Sequence, residues 1–544
     1  MARTEGWGSR VGLVLAATGN AVGLGNFLRF PAQAAQHGGG AFLIPYLVSF
    51  LLMGVPLLWI EWAIGRHGGR FGHHSAPGMF DRLGRHKAFK YLGALGLCSC
   101  VCVAGYYCYI ESWTLAYVWH SIVGTFKTVP PDQFFPRYLG KHEASLFAFP
   151  AEAAFWFVLT LALNLWILSR GLAKGIELAA KIGMPLLIVF GAVLAVRGLT
   201  LPVGAAGVVE SPLAGLNFVW NPRPSGLLDP ATWLAAAGQN FFTLSVGMGS
   251  IHCYAAYVKA NEDIALNAAS SAWMTEFVEI LLGGSILIPI ATAYLGLTAV
   301  QQATAGGSGF GLGFLTLPKL FLNWGWFAPV AGALWFGLLF FAGITSSLAM
   351  GQPVMAFLED ELGVARNKAA LLFGGAAAAL GFFCVVLYPG GAFDEFDFWT
   401  GTVALVVFAL IETFLFAWVF GMEKGWDEIT RGADMRVPRV FRYIIPYVTP
   451  FLLLFIFLAA LVKPTGSWGV ALASLTSGHG WPFAADSVIG KLFHAGGTYV
   501  WFDSAGRGTR ELVVDLTRVL LTFVLAGCAA LIWRAWRDKR GSAR

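Results

Sequence analysis

Residues 19–26, Gly-Asn-Ala-Val-Gly-Leu-Gly-Asn, interrupt the first long apolar stretch of the chain with three glycines and two asparagines. Backbone groups left unpaired in hydrocarbon cost several kcal/mol each, so such a break persists only where protein, ions or substrate satisfy the freed carbonyls and amides. A second break, Ser-Val-Gly-Met-Gly-Ser at 245–250, lies in the apolar run 232–256. Two broken helices in corresponding places of two halves indicate a secondary transporter with its binding site at the breaks.

The composition indicates an all-α polytopic membrane protein. Of the 544 residues, 57% are hydrophobic and 12% are charged, whereas soluble domains have about 25% charged residues. Apolar runs of about 20 residues are long enough to span a bilayer. Twelve spans are predicted near 10–35, 41–65, 89–122, 151–169, 176–197, 232–256, 266–295, 327–356, 367–388, 399–423, 441–462 and 512–534.

Lysine and arginine are concentrated in alternate loops of this predicted topology. The second-to-third connection, the tenth-to-eleventh connection and the C-terminal tail carry many of them, and the positive-inside rule assigns those faces to the cytoplasm. Both termini would then be cytoplasmic. The net charge of +6 is a topology signal of this kind, so no nucleic-acid partner is expected.

Two groups of metal-ligating residue types have simpler interpretations. Cys98, Cys100, Cys102 and Cys108 crowd one predicted span, but spacings of two distribute the first three around a helix, so buried packing is expected. Four histidines in the second-to-third loop lack cysteines or carboxylates at ligand spacing and are expected to be solvated. They are His67, His73, His74 and His86.

Several blocks of sequence carry a resemblance to a known family. They are GNAVGLGNFLRFPAQAAQHGGGAFLIPY at 19–46, YYCYIESW at 106–113, GQNFFTLSVGMGS at 238–250, FFAGITSSLAMGQP at 340–353, FLEDEL at 357–362 and FDEFDFW at 393–399. Together they resemble the neurotransmitter:sodium symporter family, specifically its bacterial leucine-transporter branch. The resemblance covers nearly the whole chain, and the first block is highly specific.

This resemblance implies a twelve-helix transporter with a 5+5 inverted repeat and with broken helices 1 and 6. We expect one transporter domain over 1–544, made of a first five-helix repeat at 10–197, a second at 232–423 and helices 11 and 12 at 441–534. The protein would lie in a bacterial inner membrane as a monomer or homodimer, and it would couple sodium entry to amino-acid uptake. It would not be an enzyme.

Two sodium sites are implied by the resemblance, each built from oxygen ligands. The second sodium site would be formed by Gly19, Val22, Ala342, Thr345 and Ser346. The first would be formed by the substrate carboxylate with Ala21, Asn26, Thr243 and Thr275. In the leucine-transporter branch an asparagine stands at the position of Thr275, and the shorter reach of threonine leaves one sodium per substrate as an alternative. Hydroxyls in membrane helices also bond to their own backbone, which is the structural alternative for Thr345 and Ser346.

The substrate is expected to be a neutral, hydrophobic amino acid. Free amides of Leu24 and Gly25 at a half-helix start favour an anion, and the Tyr107 hydroxyl can donate to it. Relatives that carry amines without a carboxylate place an acid at the position of Gly23, so a zwitterion is favoured. The rest of the substrate is implied to contact Asn20, Ala21, Val103, Phe242, Thr243, Ser245, Met248, Ser346 and Met350. The two methionines predict broad hydrophobic specificity.

Gates on both sides of the substrate are implied as well. Arg29 and Asp397 resemble the external ion-pair gate, with Tyr107 over Phe242 as an aromatic lid. The inner gate is matched by Trp7, Tyr257 and Asp360, but its arginine is displaced, with Arg3 as the nearest cation.

Four carboxylates lie within predicted spans, where exposure to lipid would cost roughly 2.5–3.5 kcal/mol each. Glu61, Glu111 and Glu412 are expected to bond to loop or broken-helix amides. Glu279 occupies a position that resembles the chloride-binding serine of chloride-dependent relatives. We therefore expect chloride-independent transport, with Glu279 carrying a proton on the return step; a glutamate that only packs is the alternative.

Two other functional classes are open at this level. A membrane sensor would bind amino acids without transporting them, and a membrane enzyme would change them chemically. No pair of nucleophile and base stands out in the sequence, and no Walker A motif is present.

Overall fold

The computed structural model is helical throughout its regular secondary structure, apart from one isolated β-bridge between Pro464 and Phe483, over the residues that the structure describes. Those residues are 5–141, 149–204, 207–305, 309–493 and 507–542.

Among the described residues, fourteen helical segments form the apolar, membrane-type part of the protein. In chain order they are α1 (Arg10–Ala21), α2 (Leu24–Gln36), α3 (Gly40–Gly69), α4 (Phe89–Val123), α5 (Ala151–Ser169), α6 (Leu172–Leu199), α7 (Pro230–Leu244), α8 (Ser250–Ala256), α9 (Ile264–Leu295), α10 (Ala328–Leu362), α11 (Arg366–Val386), α12 (Ala392–Thr430), α13 (Phe441–Leu461) and α14 (Glu511–Lys539). Shorter helices in the connections include Ala76–Leu83, Pro131–Tyr138, Pro212–Trp220, Leu297–Ala305 and Trp468–Thr476.

Within the described ranges, ten helices are long and apolar enough to cross a membrane, or eleven if α1 and α2 count as one span bent by 49°. These coincide with every predicted span except the sixth. The predicted sixth span consists of α7, with 15 residues, and α8, with 7, and neither half is long enough alone. The polytopic all-α class is therefore confirmed, whereas the count of twelve and the inverted repeat stay predictions.

Both breaks lie where the sequence places glycine and small polar residues. Helix α1 ends at Ala21, and α2 begins after Gly23. In the second break, Gly247 and Gly249 have φ values of 76° and 93°, which glycine adopts without a steric penalty. Ser245 has φ 51° and is the one non-glycine residue with positive φ among those described. Its strained backbone marks the break as a place where function outweighs local stability.

Two helices of 35 residues each, α4 and α10, pack against each other through the centre of the molecule. A kink at Gly325 precedes α10. Helices α1 and α8 also contact α10. Since α4 and α10 carry the blocks at 106–113 and 340–353, this packing brings those blocks to the two breaks.

Candidate functional site

The two helix breaks are joined to each other by side-chain hydrogen bonds. The Ser245 hydroxyl donates to the Asn20 carbonyl at 2.9 Å, and the Asn20 amide donates to the Ser250 hydroxyl at 3.0 Å. From α10, the Ser346 hydroxyl also donates to the Asn20 carbonyl, at 3.0 Å. The backbone polar groups freed by the breaks are thus partly satisfied by protein, as the cost of unpaired groups requires.

A cavity of about 290 Å³ lies at this junction. Its walls include ten of the twelve residues predicted for the substrate: Ala21, Leu24, Gly25, Val103, Tyr107, Phe242, Ser245, Met248, Ser346 and Met350. The other two, Asn20 and Thr243, lie behind the wall, where their polar atoms bond to neighbouring residues.

One end of the cavity is suited to an anion. Helix α2 begins there, and the Leu24 amide donates to the Tyr107 hydroxyl at 3.1 Å. The first turn of a helix carries free amides and a partial positive charge. A Cβ atom on Gly23 would lie 2.7 Å from the Tyr107 hydroxyl and 3.1 Å from the Ser346 hydroxyl. Glycine is therefore needed here for the close approach of α1, α4 and α10.

The other walls of the cavity are mostly apolar. Val103, Met248 and Met350 are joined by residues that the sequence did not single out, namely Leu28, Ile110, Phe310, Phe393 and Leu405. Apolar side chains in apolar spans carry no local signal of this kind. Only the packing of α2, α4, α12 and the segment before α10 around the breaks identifies them.

Four of the five residues predicted for the second sodium site are in contact. The Ser346 hydroxyl is 3.3 Å from the Gly19 carbonyl and 3.1 Å from the Ala342 carbonyl. The Thr345 hydroxyl is 3.2 Å from the Ala342 carbonyl and also donates to Phe341 at 2.9 Å. Val22, the fifth, follows the last residue of α1. Both hydroxyls therefore bond to the backbone of their own helix in this structure, and the Ser346 hydroxyl also reaches the Gly19 carbonyl of α1.

The residues predicted for the first sodium site are less closely assembled. The Asn26 side chain accepts from the Gly23 amide at 2.8 Å, and Thr243 accepts from Tyr46 at 3.3 Å. Thr275 is buried, but its hydroxyl donates to the Ser271 carbonyl of its own helix at 2.8 Å. The hydroxyl of Thr275 thus makes the backbone bond that is usual in membrane helices.

Glu279 lies at the centre of a buried polar network beside this site. It accepts hydrogen bonds from the Asn26 amide at 2.5 Å and from the Gln239 amide at 3.0 Å. Its side chain has no exposed surface, and it belongs to the π-helical turn Phe277–Gly283. Such turns are frequent at functional sites, although the described chain also contains π-helical turns elsewhere.

The network contains a second carboxylate that sequence reasoning missed. Glu276 is buried, and the Tyr46 hydroxyl donates to it at 3.0 Å. Tyr46 also bonds to Thr243 and so connects Glu276 with the predicted sodium site. The sequence did contain a signal for Glu276, because burying an acid within an apolar membrane span costs free energy and usually marks a functional role.

On one side of the cavity, the predicted ion-pair gate is not formed. The Arg29 guanidinium stacks on the Phe242 ring at 3.6 Å from its centroid, and Asp397 accepts from the Tyr106 hydroxyl at 2.9 Å. No ion pair joins Arg29 to Asp397 within the described residues, although both line the cavity. A second cavity of about 810 Å³ adjoins on this side and shares Arg29 and Phe242.

The opposite side of the protein is closed by packed aromatic and charged groups. The Trp7 indole donates to the Tyr254 carbonyl at 3.0 Å. Asp360 accepts from the backbone amide of His74 at 3.0 Å and lies 2.9 Å from its Nδ1, and the His74 ring stacks on Tyr257 at 4.1 Å. Arg3, the cation expected near Asp360, lies outside the described residues.

The histidines of this loop correct one prediction. His74 takes part in the closure, and His73 is buried with its Nδ1 2.6 Å from Glu361. Neither is a solvated loop residue, because Glu361 and Asp360 in the last turn of α10 contact them.

The remaining membrane carboxylates differ in their partners. Glu61 accepts from the Gly247 amide in the second break at 2.5 Å, as expected. Glu111 instead accepts from the Asn164 side chain at 3.1 and 3.2 Å. Both oxygens of Glu412 have no partner with a defined donor within the described residues, so the expected amide contact is absent there.

Comparisons with known proteins agree on one class. The model of the sodium:neurotransmitter symporter family matches residues 4–128 and 124–489. An uncharacterized sodium-dependent transporter of Methanocaldococcus jannaschii is 30% identical over 461 residues, covering 82% of this chain and 89% of the relative. The sodium-dependent nutrient amino acid transporter 1 of Drosophila mojavensis is 25% identical over 504 residues, covering 83% of this chain and 75% of the relative.

A solved structure is similar over the same region. The crystal structure of MhsT in complex with L-phenylalanine matches with a TM-score of 0.71 and 30% identity, covering 84% of this chain and 99% of that chain. These relatives are transporters and not enzymes, so the chain is a multi-pass membrane transporter of a sodium-dependent class. The chain belongs to the sodium:neurotransmitter symporter family.

Proposed function

We propose that this protein imports neutral, hydrophobic amino acids together with sodium by alternating access. The observation that carries the proposal is the cavity at the two helix breaks. It has a helix N-terminus and Tyr107 at one end, and its walls are largely apolar. Position 23 is a glycine and not the acid that amine carriers have there. A zwitterion with an apolar side chain matches this distribution of polar and apolar groups.

The relatives support the same substrate class. MhsT was crystallised with L-phenylalanine, and the relative from Drosophila mojavensis is described as a nutrient amino acid transporter. Two methionines in the wall, Met248 and Met350, can adapt to side chains of different shape. We therefore propose a broad hydrophobic specificity that includes aliphatic and aromatic amino acids.

We propose two sodium ions per substrate. One would bind among Gly19, Val22, Ala342, Thr345 and Ser346, and the other among Ala21, Asn26, Thr243, Thr275 and the substrate carboxylate. At about 100 mV each charge gains about 2.3 kcal/mol, and a tenfold gradient adds about 1.4 kcal/mol. Two ions would supply about 7 kcal/mol, a limit of order 10⁵-fold accumulation. Because Thr275 bonds to its own helix, one sodium per substrate is the second candidate.

We further propose that transport does not need chloride. The Glu279 carboxylate occupies the space among Asn26, Gln239 and Tyr46, where it would supply the negative charge that chloride brings to relatives. An ionised carboxylate repels a second anion at short distance. In the return step without substrate and sodium, Glu279 would take up a proton, so protons would leave as sodium enters.

The proposed setting is a bacterial inner membrane with both termini in the cytoplasm. The side closed by Trp7, His74, Tyr257 and Asp360 would then face the cytoplasm, and the Arg29 side would face outward. The large cavity beside Arg29 and Phe242 would serve as the entrance. The protein would act as a monomer or as a homodimer.

A competition panel tests the substrate class. Purified protein would bind labelled leucine in sodium medium, and a set of unlabelled amino acids and amines would compete. Leucine, methionine and phenylalanine are expected to displace the label, whereas lysine, glutamate and monoamines without a carboxylate are not. Displacement by a monoamine, or binding that is equal in potassium medium, would contradict the proposal.

A further inference from the structure

A buried histidine lies between two buried carboxylates at the second helix break, away from the Glu279 network. His252 of α8 has its Nδ1 3.6 Å from Glu61 of α3 and its Nε2 3.3 Å from Glu412 of α12. All three side chains have no exposed surface. Both ring nitrogens, both Glu412 oxygens and one Glu61 oxygen have no partner with a defined donor among the described residues. The Glu61 and Glu412 carboxyls also lie within hydrogen-bonding range of each other.

The surroundings do not neutralise these acids. In the described part of the chain, no lysine or arginine forms an ion pair with either carboxylate. The rings of Phe80 and Phe408 pack against the imidazole at 6.1 and 5.9 Å. The further titratable group beside Glu61 is the thiol of Cys100 on α4, which donates to the Met248 carbonyl. Two ionised carboxylates with a neutral imidazole would leave two uncompensated charges, at several kcal/mol each.

Protons and a metal ion are the two candidate neutralising ligands. One ligand atom from each of Glu61, His252 and Glu412 lies within 4.8 Å of the others, but a metal ion would have only these three protein ligands among the described residues. One oxygen of Glu61 is already occupied by the Gly247 amide at 2.5 Å. Two protons added to the two carboxylates and the neutral imidazole give zero net charge and need no additional ligands.

We propose that Glu61, His252 and Glu412 form a proton-binding site in which the imidazole shares the bound protons with the two acids. When two protons are added, one state has both acids protonated beside a neutral imidazole that carries its own proton on Nε2. A proton on Glu61 then moves to Nδ1, which leaves Glu61 ionised and the imidazole positively charged. The number of protons and the net charge are unchanged by this step. The site is separate from Glu279 and does not depend on which substrate the transporter carries.

The site is connected to the moving part of the protein through one hydrogen bond. Glu61 holds the Gly247 amide, and a bond to an ionised carboxylate is roughly twice as strong as one between neutral groups. A proton on Glu61 therefore weakens its hold on the break between α7 and α8. Because the three side chains have no exposed surface, exchange of protons with water requires α3, α8 and α12 to separate. Proton occupancy is thereby tied to conformational change.

Infrared spectroscopy of the purified protein tests the site without any substrate. Protonated carboxyl groups have a carbonyl band of their own, and those buried in the site should exchange slowly in D₂O. At neutral pH, Glu412→Gln should lose part of this band. At alkaline pH, His252→Gln should retain carboxyl absorbance that the wild type loses, because its acids have lost the partner that can carry a positive charge.

A matched control is Glu111→Gln, which removes another buried acid of α4 whose partner is Asn164. Its spectrum should lose a band that does not respond to substitution of His252. If His252→Gln does not fold, His252→Asn repeats the test with a smaller side chain. A band unaffected by Glu61→Gln and Glu412→Gln would overturn the proposal, as would equal pH dependence in His252→Gln and the wild type. Stoichiometric metal that is present in the wild type and lost in Glu412→Gln would also overturn it.

Discussion

Replacing Glu279 with serine should convert a chloride-independent transporter into a chloride-dependent one. The carboxylate accepts hydrogen bonds from Asn26 at 2.5 Å and from Gln239 at 3.0 Å, in a site without exposed surface. Serine is too short to reach both donors. A buried donor left without a partner costs about 1–3 kcal/mol, so the two together cost about 2–6 kcal/mol. Chloride can enter the vacated volume and accept from both.

The assay is equilibrium binding of labelled leucine at fixed sodium concentration, in chloride and in gluconate. Where about 2 kcal/mol of this cost falls on the leucine-bound state alone, binding is roughly 30-fold weaker. Glu279→Ser should therefore bind leucine about that much more weakly in gluconate and recover in chloride. Glu279→Gln is the matched control, because it fills the volume without the charge and leaves no room for an anion. The reasoning is refuted if wild-type binding requires chloride, or if the serine variant binds equally in both media.

Four further predictions concern the sodium and substrate sites. Replacing both Thr345 and Ser346 with alanine should raise the sodium concentration for half-maximal leucine binding by well over tenfold, and unchanged sodium dependence would mean that the hydroxyls only bond to backbone. Thr275→Asn should lower that sodium concentration; an increase would show that the native ligands are adapted to threonine. Gly23→Asp should abolish leucine binding, because a Cβ atom at this position would lie 2.7 Å from the Tyr107 hydroxyl and displace it. Normal leucine binding in this variant would show that the substrate binds at a different place. Met248→Phe should shift the competition order toward aliphatic amino acids, and an unaltered order contradicts a methionine-adapted pocket.

Local chemistry made the helix breaks predictable, and the family resemblance made most of the cavity wall predictable. Glycines at 23, 247 and 249 have no place in an uninterrupted membrane helix, and the structure has non-helical backbone at all three. The family resemblance then led to residues on other helices that now line one cavity with them. Helix positions followed from apolar length alone, since a bilayer demands about 20 residues per span.

Contacts between distant parts of the chain were not predictable. Arg29 stacks on Phe242 instead of pairing with Asp397, which depends on the distance between α2 and α12 in this conformation. From the sequence His74 is a loop residue, and only the structure shows that it packs against Tyr257 and Asp360. Such contacts between distant residues depend on how whole helices pack together. The pattern of residues along one segment does not predict them.

Accumulation of labelled leucine in proteoliposomes tests the central claim of sodium-coupled uptake most directly. Vesicles loaded with potassium would be placed in sodium medium, with the membrane potential set to inside-negative. We predict accumulation above the external concentration that collapses when the sodium gradient is removed and is absent in Gly23→Asp. Binding of leucine without accumulation would indicate a sensor, chemical change of the label would indicate an enzyme, and uptake that is independent of sodium would contradict the account.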